Sequence, residues 1–295
     1  MKQEYSFFEW FSDKNRLICT GSNLLKLDKI ASLVKILNKS NVKVMLLKGA
    51  DLLENTYEDI SQRSMEDMDI LVKQRDLDRA RKVLRENNYR LLYSNKSNSE
   101  VYRLETEKNI FIDLHWRLVN KKSPAQRYIY SPDETIIWQR AVQFKIKHVP
   151  VYGMCPEDLL VYLCFHSLKE RFLQKKWLID IKLLLNKQEN HIDWNQFIDI
   201  SRNFGADKLC GLIFDYLNKF YSVKVPSCLL IKLKNKYPFY FLSELIFRSY
   251  LKLTIIPKDF LWLLAMNSKK NQFLFLKGLP LYLWKKWRGH ILQKY

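Results

Sequence analysis

The stretch RSMEDMDILVKQ, from Arg63 to Gln74, places three acidic residues within four positions of a chain whose formal net charge is +19. Asp67 and Asp69 alternate with apolar residues, which is the pattern of a β-strand with one polar and one apolar face. Two carboxylates on one strand face repel each other unless a cation lies between them. A divalent metal ion with oxygen ligands commonly fills that place. The stretch therefore predicts a buried strand that carries a metal site.

Composition indicates a folded protein with one large domain or two ordinary ones. The chain has 295 residues, 47% of them hydrophobic and 14% aromatic, which is enough for packed cores. Five scattered cysteines form no zinc-ligand spacing and no secretory signal opens the chain, so we expect reduced thiols and a cytoplasmic location. The longest apolar runs have about seven residues, against the roughly 20 that span a bilayer, so we expect no transmembrane segment.

Positive charge is concentrated towards the C-terminus, where residues 231–295 hold 13 Lys and Arg against two acids. One interpretation is a surface for an anionic partner, such as nucleic acid, a nucleotide or an acidic membrane. The other is a solvated helical surface without a partner. The tail LYLWKKWRGHIL (281–292) mixes aromatic and basic residues. It is therefore a candidate for peripheral membrane contact, for stacking on single-stranded nucleic acid, or for a terminal helix docked on the body.

Periodicity divides the chain into an α+β half and a helical half. Short strand patterns occur in VKVMLLKG (42–49), in the stretch quoted above and in IFIDLHWRL (110–118), with helical patterns between them. From Pro156 onward nearly every segment has a helical period. We therefore predict a boundary near residue 150, with an α+β domain over 1–150 and a strongly basic, mostly helical domain over 151–295.

A third acid extends the hypothesis of a metal site. In the strand pattern 110–118, Asp113 and His115 share the face that is opposite to the apolar residues. A third carboxylate beside an Asp-x-Asp pair supplies ligands for two metal ions that clamp an in-line phosphoryl displacement. The first strand ends at Lys48 and Gly49, where we predict a tight turn at the glycine and the start of a helix. Backbone N–H groups at a helix start, together with a lysine, can hold a triphosphate.

Three motifs together resemble a known family. LLKGADLL (46–53), RSMEDMDILV (63–72) and IFIDLHWRL (110–118), in that order and spacing, resemble the nucleotidyltransferase superfamily of DNA polymerase β, and in particular its bacterial branch of uncharacterised nucleotidyltransferases. The superfamily in general has a Gly-Ser pair after the first strand, whereas this branch and this chain have Lys-Gly. The resemblance covers about residues 25–225. It implies a polymerase-β-like domain with a mixed sheet, followed by a mostly α-helical domain.

The same resemblance implies roles for individual residues. Asp67, Asp69 and Asp113 would be the catalytic and metal-binding residues, holding Mg²⁺ or Mn²⁺, and Asp113 would also help to activate the acceptor. The residues considered for nucleotide binding are Lys48, Gly49, Arg63, His115, His166 and Lys169. The first two would bind the β- and γ-phosphates, and the arginine would contact phosphate.

Two of these residues keep alternative interpretations. His166 lies in the helical stretch PEDLLVYLCFHSLKERF among apolar residues, so it is either a packed core histidine or, with Lys169, part of a cleft that contacts nucleotide or acceptor. The following helix carries Asp180, which relatives also have. His115 shares the face of the metal site, and either a structural or a site role is open for it.

Two functions follow from these motifs. The first is a Mg²⁺-dependent nucleotidyltransferase that moves an NMP group from an NTP, such as ATP, to an acceptor hydroxyl, phosphate or amine and releases pyrophosphate. No motif encodes the acceptor, which is a small molecule, a peptide or protein, or RNA. The second is a non-catalytic nucleic-acid-binding or scaffold protein on the same fold, whose basic helical half binds nucleic acid. An intact set of three acids favours the enzyme, because unused buried acids would only destabilise the fold.

Overall fold

The computed structural model describes residues 13–234, 237, 240–253 and 258–277, and it has the predicted α+β architecture. A mixed seven-stranded sheet lies in the N-terminal half, and helices dominate the rest. The chain divides into two compact units, of which one joins Met1–Leu118 with Glu134–Cys155 and the other joins Val119–Asp133 with Pro156–Tyr295. A single domain boundary near residue 150 stays a prediction.

The sheet places the strand of the opening stretch at its centre. The strands are β1 Val44–Leu46, β2 Met68–Val72, β3 Tyr89–Ser94, β4 Ser99–Leu104, β5 Phe111–His115, β6 Val142–Ile146 and β7 Val149–Gly153. Their order across the sheet is β3-β4-β5-β2-β1-β7-β6. Strand β2 pairs antiparallel with β1 and parallel with β5. All five residues of β2 are buried, as expected for a strand with neighbours on both sides.

The structure describes helices in both units. They are α1 Asp13–Lys39, α2 Lys48–Asn55, α3 Leu77–Glu86, α4 Pro124–Ile129, α5 Glu134–Arg140, α6 Pro156–Lys169, α7 Lys176–Lys187, α8 Trp194–Asn203, α9 Asp207–Tyr221, α10 Ser227–Lys234, α11 Tyr240–Leu253 and α12 Lys258–Ala265. Helix α1 contacts β1 and β7, and α3 contacts β3. Helices α4 and α6–α12 belong to the second unit. Within the described residues, none of the helices is long and apolar enough to cross a bilayer.

Helix α2 begins directly after β1, and Asp51 packs this helix against β7. The Asp51 side chain accepts a hydrogen bond of 2.6 Å from Asn55, and its Oδ2 lies 3.2 Å from the place where a Cβ on Gly153 would be. The residue is 2% exposed. Burial raises the pKa of Asp51 to about 7, although the hydrogen bond from Asn55 acts in the opposite direction. The first turn of α2 thus contains a buried carboxyl group, which is unfavourable when it is ionised.

This carboxyl group makes the stability of the first unit depend on pH. The pKa of Asp51 is higher in the folded chain, at about 7, than its ordinary value of 3.8, so the unfolded chain ionises first and stability falls as pH rises between those values. The variant Asp51→Asn does not ionise. We predict that its free energy of unfolding, relative to the natural chain, rises by roughly 3 kcal/mol between pH 5 and pH 8.

Urea denaturation at both pH values measures this difference. Asp78→Asn, which removes an exposed carboxylate from α3, is the control for a change of surface charge. A difference between the Asp51→Asn variant and the natural chain that stays the same at pH 5 and pH 8 would contradict the prediction.

Candidate active site

Two of the predicted acids meet because β2 and β5 are in register. Asp69 lies directly opposite Asp113 in the parallel pair, and Leu71 lies opposite His115. Because alternate residues of a strand share a face, His115 projects on the same side as the two acids. Its Nε2 lies 3.1 Å from Asp69 Oδ1 and 3.0 Å from Asp113 Oδ2. One imidazole nitrogen therefore contacts both carboxylates.

A lysine approaches the same carboxylate from the end of β1. The Lys48 Nζ lies 2.5 Å from Asp69 Oδ1, and the lysine is 8% exposed. Burial would raise the pKa of Asp69, but Lys48 and His115 outweigh it and hold that pKa well below its usual range. Asp69 is therefore ionised and held between two cationic or proton-donating groups.

The pKa of His115 shifts in the opposite direction to that of Asp69. Burial alone would lower the pKa of this histidine, but the neighbouring charges of Asp113 and Asp69 outweigh it and raise the pKa above its ordinary value. The two carboxylates therefore stabilise the protonated form of this imidazole relative to a histidine in water.

Asp67 lies one residue before β2, on the side of the acidic pair. Repulsion by the Asp69 carboxylate is the largest cause that raises the pKa of Asp67. This is the electrostatic conflict that the alternating sequence pattern predicts.

The described residues contain one group of side chains that could hold a metal ion, and it differs from the predicted triad. Asp69, Asp113 and His115 each offer a ligand atom within 4.8 Å of the others. Asp67 does not belong to this group, and its role as a metal ligand stays a prediction. Among the described residues, the buried atoms Asp113 Oδ1 and His115 Nδ1 have no hydrogen-bond partner. The donor set and the unsatisfied carboxylate oxygen fit a divalent ion.

Arg63 packs over the start of α2. Its side chain is 4% exposed, and its Nη1 lies 2.6 Å from the place where a Cβ on Gly49 would be. A side chain at this position would require the guanidinium of Arg63 to shift. The positive backbone φ lies one residue earlier, at Lys48 with 47°, so the tight turn that we predicted at Gly49 is formed by the lysine. The structure thus places two basic residues, Lys48 and Arg63, at this helix start.

The loop that carries Arg63 is held by Asn23, a residue that the sequence analysis missed. Asn23 Nδ2 donates hydrogen bonds of 2.7 Å to the carbonyl oxygens of Ile60 and Arg63, and Met65 N donates to Asn23 Oδ1 at 3.1 Å. The asparagine is fully buried on α1. Its signal in the sequence is a polar residue inside the apolar period of that helix, between Cys19 and Leu27.

His166 and Lys169 belong to the second unit. His166 is 5% exposed, makes an edge contact of 4.7 Å with Trp177 and stacks on Tyr162 at 6.3 Å. These contacts are those of a packed core histidine. Lys169 pairs with Glu170 at 3.6 Å, and Asp180 is fully buried in α7. Nucleotide binding by His166 and Lys169 stays a prediction, and the tail 281–292 lies outside the described residues.

Comparison with known proteins assigns the class. Residues 12–222 match the family described as uncharacterised nucleotidyltransferase. The chain belongs to this family, as its three motifs predicted. A search of curated proteins gave no match to the chain.

Solved structures of nucleotidyltransferases are similar to the chain at low identity. The antibiotic-resistance factor ANT(2'')-Ia in complex with adenylyl-2''-tobramycin shares 9% identity over 61% of this chain and 97% of its own, with a TM-score of 0.42. The lincosamide antibiotic adenylyltransferase LnuA, bound to lincomycin, shares 15% identity over 53% of this chain and 94% of its own, with a TM-score of 0.39. A nucleotidyltransferase-like protein from Paracoccidioides brasiliensis shares 16% identity over 70% of this chain and 97% of its own, with a TM-score of 0.44. These values say nothing about the substrates of this chain.

The contact between Gly49 and Arg63 leads to a prediction with a matched control. Alanine normally stabilises a helix relative to glycine, but at Gly49 the new methyl group would collide with Arg63 and Met65. We predict that Gly49→Ala lowers the free energy of unfolding by about 1–3 kcal/mol. At Gly21, in α1, an added Cβ would meet nothing within 4 Å, so Gly21→Ala should raise it by about 0.5–1 kcal/mol. Urea denaturation measures the change in the free energy of unfolding for both variants. Changes of the same sign would contradict the close approach of Arg63 to Gly49.

Proposed function

We propose that this chain is an enzyme that transfers a nucleotidyl group from an NTP to an acceptor and releases pyrophosphate. The observation that supports it best is the register of β2 and β5, which brings Asp69 and Asp113 to one point beside Lys48. Membership of the nucleotidyltransferase family agrees with this arrangement. The proposed donor is ATP, and the acceptor is a hydroxyl, phosphate or amine of a small molecule, a peptide or protein, or RNA.

The proposed reaction is an in-line displacement at the α-phosphorus. The acceptor oxygen or nitrogen forms a bond to this phosphorus, the bond to the β-phosphate oxygen breaks, and pyrophosphate leaves. Asp113 accepts the proton of the acceptor. Asp67, Asp69 and Asp113 would hold Mg²⁺, which neutralises the negative charge of the phosphates when bound. The contribution of the chain is mainly positioning.

Two basic side chains at the start of α2 would bind the phosphates. Lys48 pairs with Asp69, and we propose that its ammonium turns to the β- and γ-phosphates when NTP binds. Arg63 lies against Gly49 at the start of α2, where backbone N–H groups favour an anion. The cysteines within the described residues are all free thiols, which agrees with a cytoplasmic location, where NTPs are available.

A label-transfer assay tests this function. Each of the four NTPs, labelled at the α-phosphate, is incubated with the full chain, Mg²⁺ or Mn²⁺ and cell extract as the source of acceptor. We expect label transfer with one or more NTPs, and we expect Asp69→Asn/Asp113→Asn to reduce its rate by a factor of about 10³ or more, because electrostatic stabilisation of the transition state is lost.

Asp78→Asn, a surface variant of α3, is the control and should keep the rate of the natural chain. Circular dichroism and urea denaturation confirm that the double variant is folded. Equal rates in the double variant and the natural chain, or no transfer from any NTP in any extract, would exclude the proposed activity.

A second candidate function, nucleic-acid binding, is favoured by a basic cavity in the first unit. The cavity has a volume of about 450 Å³ and opens where β2 and β5 end, whereas Asp67 lies at the start of β2. The lining includes Lys73, Arg75, Arg117, Trp116 and Trp138. The Lys73 ammonium lies 5.1 Å from the centre of the Trp138 ring. Cations beside aromatic rings are typical of surfaces on which single-stranded nucleic acid stacks, and the Trp138 ring is half-buried here.

Fluorescence anisotropy with a labelled single-stranded RNA separates this function from catalysis. If the cavity binds RNA, Lys73→Ala/Arg117→Ala should weaken binding about tenfold or more and reduce its salt dependence, since two phosphate contacts are lost. Asp69→Asn/Asp113→Asn should leave the affinity unchanged. Unchanged binding by the cavity variant, or no binding by the natural chain, would exclude a nucleic-acid site in this cavity.

A further inference from the structure

His115 is placed to contact a metal ion directly, and not only to support the acids. Its Nε2 is the atom that approaches both carboxylates, at 3.1 Å from Asp69 Oδ1 and 3.0 Å from Asp113 Oδ2. The His115 side chain is 4% exposed, so its position is set by packing and by the register of β5. Nitrogen and oxygen atoms from three side chains therefore converge on one buried point.

The distances from His115 Nε2 to the two carboxylates are those of ligands that share an ion. Two ligands on adjacent corners of an octahedron, each about 2.1 Å from the metal, lie about 3.0 Å apart. The Nε2 of His115 already stands at this separation from both carboxylate oxygens. A metal ion bound by these three side chains requires no change in the register of the strands.

A nitrogen ligand changes which ion the site prefers. Mg²⁺ takes oxygen ligands almost exclusively, whereas imidazole nitrogen favours first-row transition ions. We propose that His115 Nε2 binds a divalent transition ion, such as Mn²⁺, together with Asp69 and Asp113, and that this site selects such an ion over Mg²⁺. The inference rests on the proposed function. In that reaction the nucleotide would bring its own Mg²⁺, held by phosphate oxygens and the carboxylates of Asp67 and Asp69.

The position of Lys48 agrees with a site in which a metal ion displaces the lysine ammonium from Asp69. Its Nζ contacts the same Asp69 oxygen that His115 approaches. An ion at that oxygen would repel the Lys48 ammonium, which could then contact the phosphates of a bound nucleotide. Binding of the transition ion and engagement of the nucleotide by Lys48 are thereby linked.

Electron spin-echo spectroscopy of bound Mn²⁺ tests the nitrogen ligand directly. The full chain is stripped of metal, loaded with one equivalent of Mn²⁺ and measured with and without a non-hydrolysable NTP analogue and Mg²⁺. We expect ¹⁴N modulation from a directly bound imidazole in the natural chain. It should be absent in His115→Asn, which keeps a polar group of similar length but offers oxygen in place of nitrogen.

Isothermal titration supplies the second readout. The ratio of the Mn²⁺ and Mg²⁺ affinities should fall about tenfold or more in His115→Asn, because the imidazole donor is lost. His148→Asn is the matched control, since His148 is exposed on the turn between β6 and β7 and has a φ of 69° that asparagine tolerates. It should keep both the ¹⁴N signal and the affinity ratio.

The outcomes separate this inference from the proposed function. Mn²⁺ that binds through Asp69 and Asp113, but without ¹⁴N modulation in the natural chain, overturns the role of His115 and leaves nucleotidyl transfer intact. Mn²⁺ binding that survives Asp69→Asn/Asp113→Asn places the ion elsewhere and also overturns the inference. Label transfer that fails in the natural chain, despite an ion bound with ¹⁴N modulation, overturns the proposed function alone.

Discussion

The juxtaposition of two carboxylates in the middle of a sheet is the constraint around which the first unit is built. Asp69 and Asp113 are brought together by the parallel register of β2 and β5, and neither can move away without breaking that register. Buried like charges are strongly unfavourable unless cationic groups compensate them. Lys48 and His115 provide such compensation. The acids, the lysine and the histidine therefore form one electrostatic unit, and the substitution of any member changes the others.

The residues around the acids, Lys48 and His115 hold the lysine in place. The lysine adopts a left-handed backbone conformation between β1 and α2, which is unfavourable for a residue with a side chain. Helix α2 begins there, with Gly49 small enough to allow Arg63 to approach. The Arg63 loop is in turn held by the buried Asn23 of α1. A strained turn, a glycine and a buried asparagine thus place Lys48 beside Asp69 and Arg63 beside the start of α2.

The sequence predicts much of this arrangement, but not its finest details. Alternation in β2 and β5 predicts which residues share a face, and together with the family resemblance it indicated the acids of the site. The pairing of Asp69 with Asp113, and the contact of His115 with both, depend on the register between strands that lie far apart in the sequence, which no local pattern encodes. The turn was assigned to Gly49, because glycine usually takes positive φ, whereas Lys48 takes it. Asn23 escaped notice because a single polar residue hardly alters the period of a 27-residue helix.

The costs accumulated at this site argue for catalysis over a purely structural role. A left-handed lysine, a buried histidine and a buried acid beside a half-buried one all lower the stability of the first unit. A scaffold that only bound nucleic acid through the cavity at the other end of β2 would need none of them. Apolar residues on β2 and β5 would give the same sheet with greater stability. Such local conflicts persist where chemistry requires them, and here they converge on the atoms that would bind a metal ion and phosphate.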